Sequence, residues 1–126
     1  VFINAGHESI LVFDQNKNYE YIKSEMPPLG IVKYFTESMV KSSTMDLKNK
    51  TLVVYTDGVT EGYIKSGEEL GAEGVQKIVD NMSEVTPKNI VESIEKELNW
   101  GAEKLRDDIT CMAINIKNTE LIKKTK

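Results

Sequence analysis

The sequence predicts an α+β fold in which antiparallel β-sheet layers are flanked by two helices. Short runs rich in β-branched and aromatic residues occupy the first part of the chain and recur near its end. Between them lie two segments whose apolar residues recur at helical spacing. Clusters of Asp, Asn, Gly and Pro separate the runs and supply the turns. No internal repeat or low-complexity stretch interrupts the pattern, which reads as one domain or part of one.

Phe2-Ile3-Asn4, Ile10-Leu11-Val12-Phe13 and Tyr19-Glu20-Tyr21-Ile22 read as strands. The last two join through residues 14–18, a polar stretch suited to a hairpin. Pro27 and Pro28 must break this meander, because proline has no amide donor and the residue before it avoids helix. A strand at residues 39–45 is then expected to pair with residues 51–56 across a turn at 46–50. Val75, Ile78, Val79 and Met82 form the stripe of an amphipathic helix. Thr86 can cap a second helix with Pro87 at its first position, Ile90, Val91, Ile94 and Leu98 form its stripe, and Gly101 ends it. Residues 109–116 return to the sheet as a last strand.

Two acidic segments stand where apolar strands meet turns. Tyr55-Thr56-Asp57-Gly58-Val59-Thr60-Glu61 closes the run Leu52-Val53-Val54-Tyr55, and Arg106-Asp107-Asp108-Ile109-Thr110 leads into the last strand. A fold that lays these strands side by side brings Asp57 and Asp107 together, and carboxylates that close repel unless a divalent cation lies between them. The stretch from Asp57 also carries Gly62, Ile64 and Glu68 at calcium-loop spacing. Val59 and Lys65 cannot ligate from their positions in such a loop, and a strand precedes it where that motif requires a helix.

Asn4-Ala5-Gly6-His7, Pro28-Leu29-Gly30-Ile31, the segment 55–61, Gly71-Ala72-Glu73 and Asp107-Asp108-Ile109-Thr110 occur in the order and approximate spacing of bacterial PPM-type phosphatases. The chain resembles their SpoIIE/RsbU branch from Val1 to about Ile116. That resemblance implies a protein phosphatase 2C-like enzyme using two Mn²⁺ or Mg²⁺ ions to dephosphorylate serine or threonine on a regulatory protein, an anti-sigma-factor antagonist. It also implies an upstream sensory or receiver domain. Asp57 and Asp107 match the family's metal ligands, Gly58 is expected to let the backbone turn with the Asp57 carboxylate facing the site, and Asp108 is expected to support by hydrogen bonding. His7 could touch the phosphate, protonate the leaving oxygen or satisfy a loop carbonyl; a structural or substrate-contacting role is favoured over catalysis. The family's early Asp-x-x-Gly-His-Gly-like segment, whose aspartate bridges the two ions, has no counterpart here. Residues 1–116 are therefore expected to be the C-terminal part of such a domain, inactive alone, followed by a charged tail at 117–126. The competing reading is a non-catalytic partner-binding module or a degenerate phosphatase.

Composition narrows the classes further. With 126 residues, 29% charged and 40% hydrophobic, the chain has the make-up of an ordinary globular domain. No apolar run approaches the roughly 20 residues that cross a bilayer. Together with the lone Cys111, read as a buried thiol, this points to a cytoplasmic, reducing location. A net charge of −4 argues against a nucleic-acid partner, since phosphate backbones select clustered Lys and Arg. An unpaired sheet edge leaves dimerisation open.

Overall fold

The computed structural model describes residues 1–98 and 108–116. Four strands among them, β1 (Ile10–Phe13), β2 (Tyr19–Ile22), β3 (Lys50–Tyr55) and β4 (Cys111–Ile116), form one antiparallel sheet in the order β2-β1-β3-β4. Between β3 and β4 run α1 (Asp57–Thr60), α2 (Gly71–Asp80) and α3 (Pro87–Leu98).

The β1–β2 hairpin closes through its own polar residues. The Asp14 amide donates to the Asn18 carbonyl at 2.9 Å, and the Asp14 carboxylate accepts from the amides of Asn16 and Asn18. Lys17 takes a left-handed backbone, φ 63°, within this turn. Its ammonium donates to the carbonyls of Asp80 and Met82 at 2.8 and 2.6 Å, satisfying acceptors that α2 leaves open at its C-terminus. The α3 start follows the sequence expectation: Pro87 is the first helical residue, and the Thr86 hydroxyl accepts from the Asn89 amide at 3.1 Å.

Register decides which side chains meet the helices. Leu11 lies opposite Val53 and Val53 opposite Ala113, so Leu11, Phe13, Val53 and Tyr55 share one face of the sheet. Val75, Val79, Ile90, Ile94 and Leu98 of α2 and α3 join them in a buried cluster. Each fully buried aliphatic side chain contributes about 1.5–3 kcal/mol, so this layer holds the helices to the sheet. The opposite face carries Leu52 and Val54, half-buried, and Met112 and Ile114, which are 49% and 40% exposed.

Two expected strands do not form. Residues 39–45 hold the end of a 3₁₀ turn at Glu37–Met39 and one isolated bridge, Ser43 to Phe2. The reason is edge occupancy: β1 pairs along one side of β3 and β4 along the other, leaving no edge for a third partner. The first segment likewise makes only isolated bridges, Phe2 to Ser43 and Ala5 to Met26, because Gly6 turns away with φ +80°. The turn at 46–50 does form, with the Lys50 amide on the Leu47 carbonyl at 3.0 Å and Asn49 at φ 57°, a conformation Asn tolerates. The last strand begins at Cys111 rather than Ile109. The expected helix stop at Gly101 and the ligand Asp107 lie outside the described residues.

Candidate functional site

Antiparallel pairing brings four connections to one end of the sheet: the entry to β1, the exits from β2 and β3, and the entry to β4. His7, Ser24, Asp57 and Asp108 stand on these four connections in turn.

The exit from β3 is a single helical turn where the sequence suggested an open Asp-Gly turn. The Val59 amide donates to the Thr56 carbonyl at 2.9 Å and the Glu61 amide to the Asp57 carbonyl at 2.8 Å. Asp57 is exposed, and one of its carboxylate oxygens accepts from the Gly58 amide at 3.0 Å. Gly58 lies inside this helical turn, so a left-handed backbone is not what requires it. Close approach is the reason, because a Cβ at Gly58 would run into the carbonyl oxygen of Asp108.

Thr56 fastens the same two segments. Its amide donates to the Thr110 carbonyl at 3.0 Å, while its hydroxyl donates to the Asp108 carbonyl at 3.2 Å and accepts from the Thr110 amide at 3.1 Å. The Asp57 and Asp108 stretches of backbone therefore touch. Asp108 is exposed, and Asp107, its chain neighbour, lies outside the described residues.

On the β1 side, buried Asn4 organises the loop that carries His7. Its side-chain oxygen accepts from the His7 amide at 2.9 Å, and its amide group donates to the carbonyls of Glu8 and Ile22, each at 3.4 Å. The Gly6 amide donates to the Ser24 hydroxyl at 2.6 Å, and a Cβ at Gly6 would strike the Pro28 ring. Two motifs far apart in sequence, Asn4 to His7 and Pro28 to Ile31, are thus packed together. The exposed His7 ring shares a hydrogen bond with the Glu8 carbonyl at 3.0 Å, the loop-carbonyl contact among the three roles considered for it.

Beneath the acidic end, burial pushes the Tyr55 hydroxyl up to about 12, and that hydroxyl has no hydrogen-bond partner among the described residues. Burial also pushes up the Cys111 thiol, which sits opposite Tyr55 on β4. Among the described residues no three His, Cys, Asp or Glu side chains gather into a metal site. Asp57 presents an exposed carboxylate beside the Asp108 segment, and oxygen donors of this kind suit part of a shell for a hard cation such as Mn²⁺ or Mg²⁺. Sequence reasoning did not single out Asn4, Ser24 or Thr56. The available signal was position, since each lies inside or beside a motif yet is neither charged nor apolar.

The sheet order and helix layer give the α+β fold of protein phosphatase 2C-like domains. The chain is similar to the phosphatase domain of the cell fate determinant SpoIIE from Bacillus subtilis, Mn presoaked, with TM-score 0.60 and 19% identity over 90% of this chain and 48% of that one. It is also similar to the SiaA PP2C domain of Pseudomonas aeruginosa, with TM-score 0.62 and 17% identity over 89% of this chain and 44% of that one. It therefore spans about half the length of these solved domains. No curated protein matches it. Residues 1–117 match the family described as Stage II sporulation protein E (SpoIIE), and the chain belongs to that family.

Proposed function

We propose that the polypeptide carrying this chain is a metal-dependent protein phosphatase that hydrolyses phosphoserine or phosphothreonine on a regulatory protein, an anti-sigma-factor antagonist. The observation that carries this reading is the junction of the two acidic segments, where Gly58 and Thr56 abut Asp108 and Thr110 at the open end of the sheet. Asp57 and Asp107 would hold Mn²⁺ or Mg²⁺ together with an aspartate from outside this chain. When bound, the metal would supply Lewis-acid polarisation and a water acidic enough to attack phosphorus at neutral pH. The chain's own contribution is placement. Asp57 and Asp107 would supply the negative charge, the close approach of Gly58 to the Asp108 carbonyl sets how near the two acidic segments lie, and exposed His7 would contact the phosphorylated substrate.

Residues 1–116 are the C-terminal part of the catalytic domain in this reading. Support comes from the half-length match to solved phosphatase domains and from the exposed Met112 and Ile114 face, an apolar surface the rest of a domain would cover. An upstream sensory or receiver domain and a cytoplasmic location belong to the same proposal. No helix among the described residues is long and apolar enough to cross a membrane.

The test is phosphate release from a phosphoserine peptide by the natural full-length polypeptide, with and without Mn²⁺. Metal-dependent turnover should fall at least about a hundredfold in Asp57→Ala while circular dichroism is unchanged. Turnover indifferent to both Mn²⁺ and Asp57 would rule the reading out. The isolated 126-residue chain should show little turnover under the same conditions.

A further inference from the structure

Thr56 occupies the N-cap position of α1, where a threonine hydroxyl ordinarily accepts from an amide of the first helical turn. Here it makes no such bond. The hydroxyl is turned across to the other acidic segment, donating to the Asp108 carbonyl and accepting from the Thr110 amide. A residue that abandons its local bond for a distant one points to a requirement beyond local stability.

We infer that Thr56 is a positioning residue that latches the two metal-bearing segments at a fixed separation, and that its hydroxyl sets metal affinity. This rests on the reading of Asp57 and Asp107 as ligands. The β3–β4 ladder ends at the pair Tyr55 and Cys111, so nothing in the ladder itself constrains the carboxylates beyond it. Thr56 extends that pairing by one residue through its amide on Thr110 and adds two bonds through its side chain. Thr56 is the chain neighbour of Asp57, and the carbonyl it holds belongs to the chain neighbour of Asp107. Thr56 is joined directly to Asp57, about 3.8 Å between Cα atoms, so holding its amide and hydroxyl fixes where the Asp57 backbone lies against the Asp108 segment. Gly58 completes the arrangement by allowing the Asp108 carbonyl to come close enough to be held.

The experiment is Mn²⁺ binding by the natural full-length polypeptide, followed by electron paramagnetic resonance without substrate, for wild type, Thr56→Val and Thr56→Ser. Valine keeps the branched shape and removes the hydroxyl, whereas serine keeps the hydroxyl and removes the methyl. Thr56→Val should weaken Mn²⁺ binding roughly tenfold or more, and Thr56→Ser should stay within about twofold of wild type, as for other groups that orient ligands. A merely structural threonine would lower the melting temperature in both variants and leave the affinity alone. If Thr56→Val does not fold, Thr56→Ala with the same titration gives the same contrast, supported by faster hydrogen exchange at the Thr110 amide. Equal Mn²⁺ affinity in wild type and the hydroxyl-free variant removes the latch while sparing the metal reading. No Mn²⁺ binding by wild type removes both.

Discussion

Asp14 follows β1 and Asp57 follows β3, so both carboxylates stand where a buried strand meets a turn. Asp14 accepts from the amides of Asn16 and Asn18 at 2.8 and 2.9 Å and from the Asn18 side chain at 2.9 Å. The Asn18 side chain is the main reason its carboxyl lies below the usual value, with the two amides and Lys50 acting in the same direction and desolvation opposing them. Among the described residues Asp57 accepts only from the adjacent Gly58 amide, and it lies against a second acidic segment. Under the proposed function, the pair separates a carboxylate that builds its own turn from one that would hold a ligand. Strand-end position is common to both, and saturation by local donors distinguishes them.

The sharpest way to break this contrast is at the second acidic segment. In the natural polypeptide Asp107→Asn should lower turnover by about a hundredfold or more with folding intact if, as proposed, its charge holds a cation. Weaker metal binding and a less acidic attacking water should both yield to excess, so high Mn²⁺ or higher pH should restore part of the activity. Equal activity of variant and wild type at limiting Mn²⁺ would take Asp107 out of the site.

Asp14→Ala should do the reverse, lowering the melting temperature and leaving Mn²⁺ affinity unchanged. The acid side gives a signature. A carboxyl whose folded value is depressed contributes stability above the unfolded value, near 3.8, and loses it as pH falls through the folded value. Wild type should therefore lose stability through that low-pH window by more than Asp14→Ala, as read by thermal melts at stepped pH. A change in Mn²⁺ binding in Asp14→Ala would mean that local saturation does not separate the two acids.

What the sequence revealed follows from how far each signal reaches. The stripes that became α2 and α3 were legible because burial of Val75, Val79, Ile90, Ile94 and Leu98 repeats over several turns. The one-turn helix at Asp57 was not, since four residues carry no period. The misplaced strand at 39–45 failed for a nonlocal reason: nothing near it in sequence reveals that β1 and β4 already fill both edges of β3. At the site, acidic residues announced themselves by charge, whereas Thr56 looks like any N-cap and Asn4 like any loop residue. Their partners, Asp108 and Thr110 for one and Ile22 for the other, are far along the chain.

Tyr55 offers the smallest test and the most discriminating one, because it is a polar group left unsatisfied two residues before Asp57. Its hydroxyl is buried without a partner among the described residues, and burial holds it at about 12. If an unsatisfied group always marks this site, Tyr55 belongs to the metal machinery. If the relevant property is exposed oxygen beside a second acid, Tyr55 is only an uncompensated polar atom in the core. Tyr55→Phe decides between them. Removing a buried hydroxyl that makes no bond should be neutral or should stabilise by up to about 1 kcal/mol, with Mn²⁺ affinity unchanged. The alkaline limb adds a sign: a raised tyrosine favours the folded state below its unfolded value near 10 and loses that advantage as pH rises toward 12. Thermal melts of Tyr55→Phe should therefore decline less steeply above pH 10 than those of wild type. A loss of Mn²⁺ affinity in this variant would extend the site inward from Asp57 to the core beneath it.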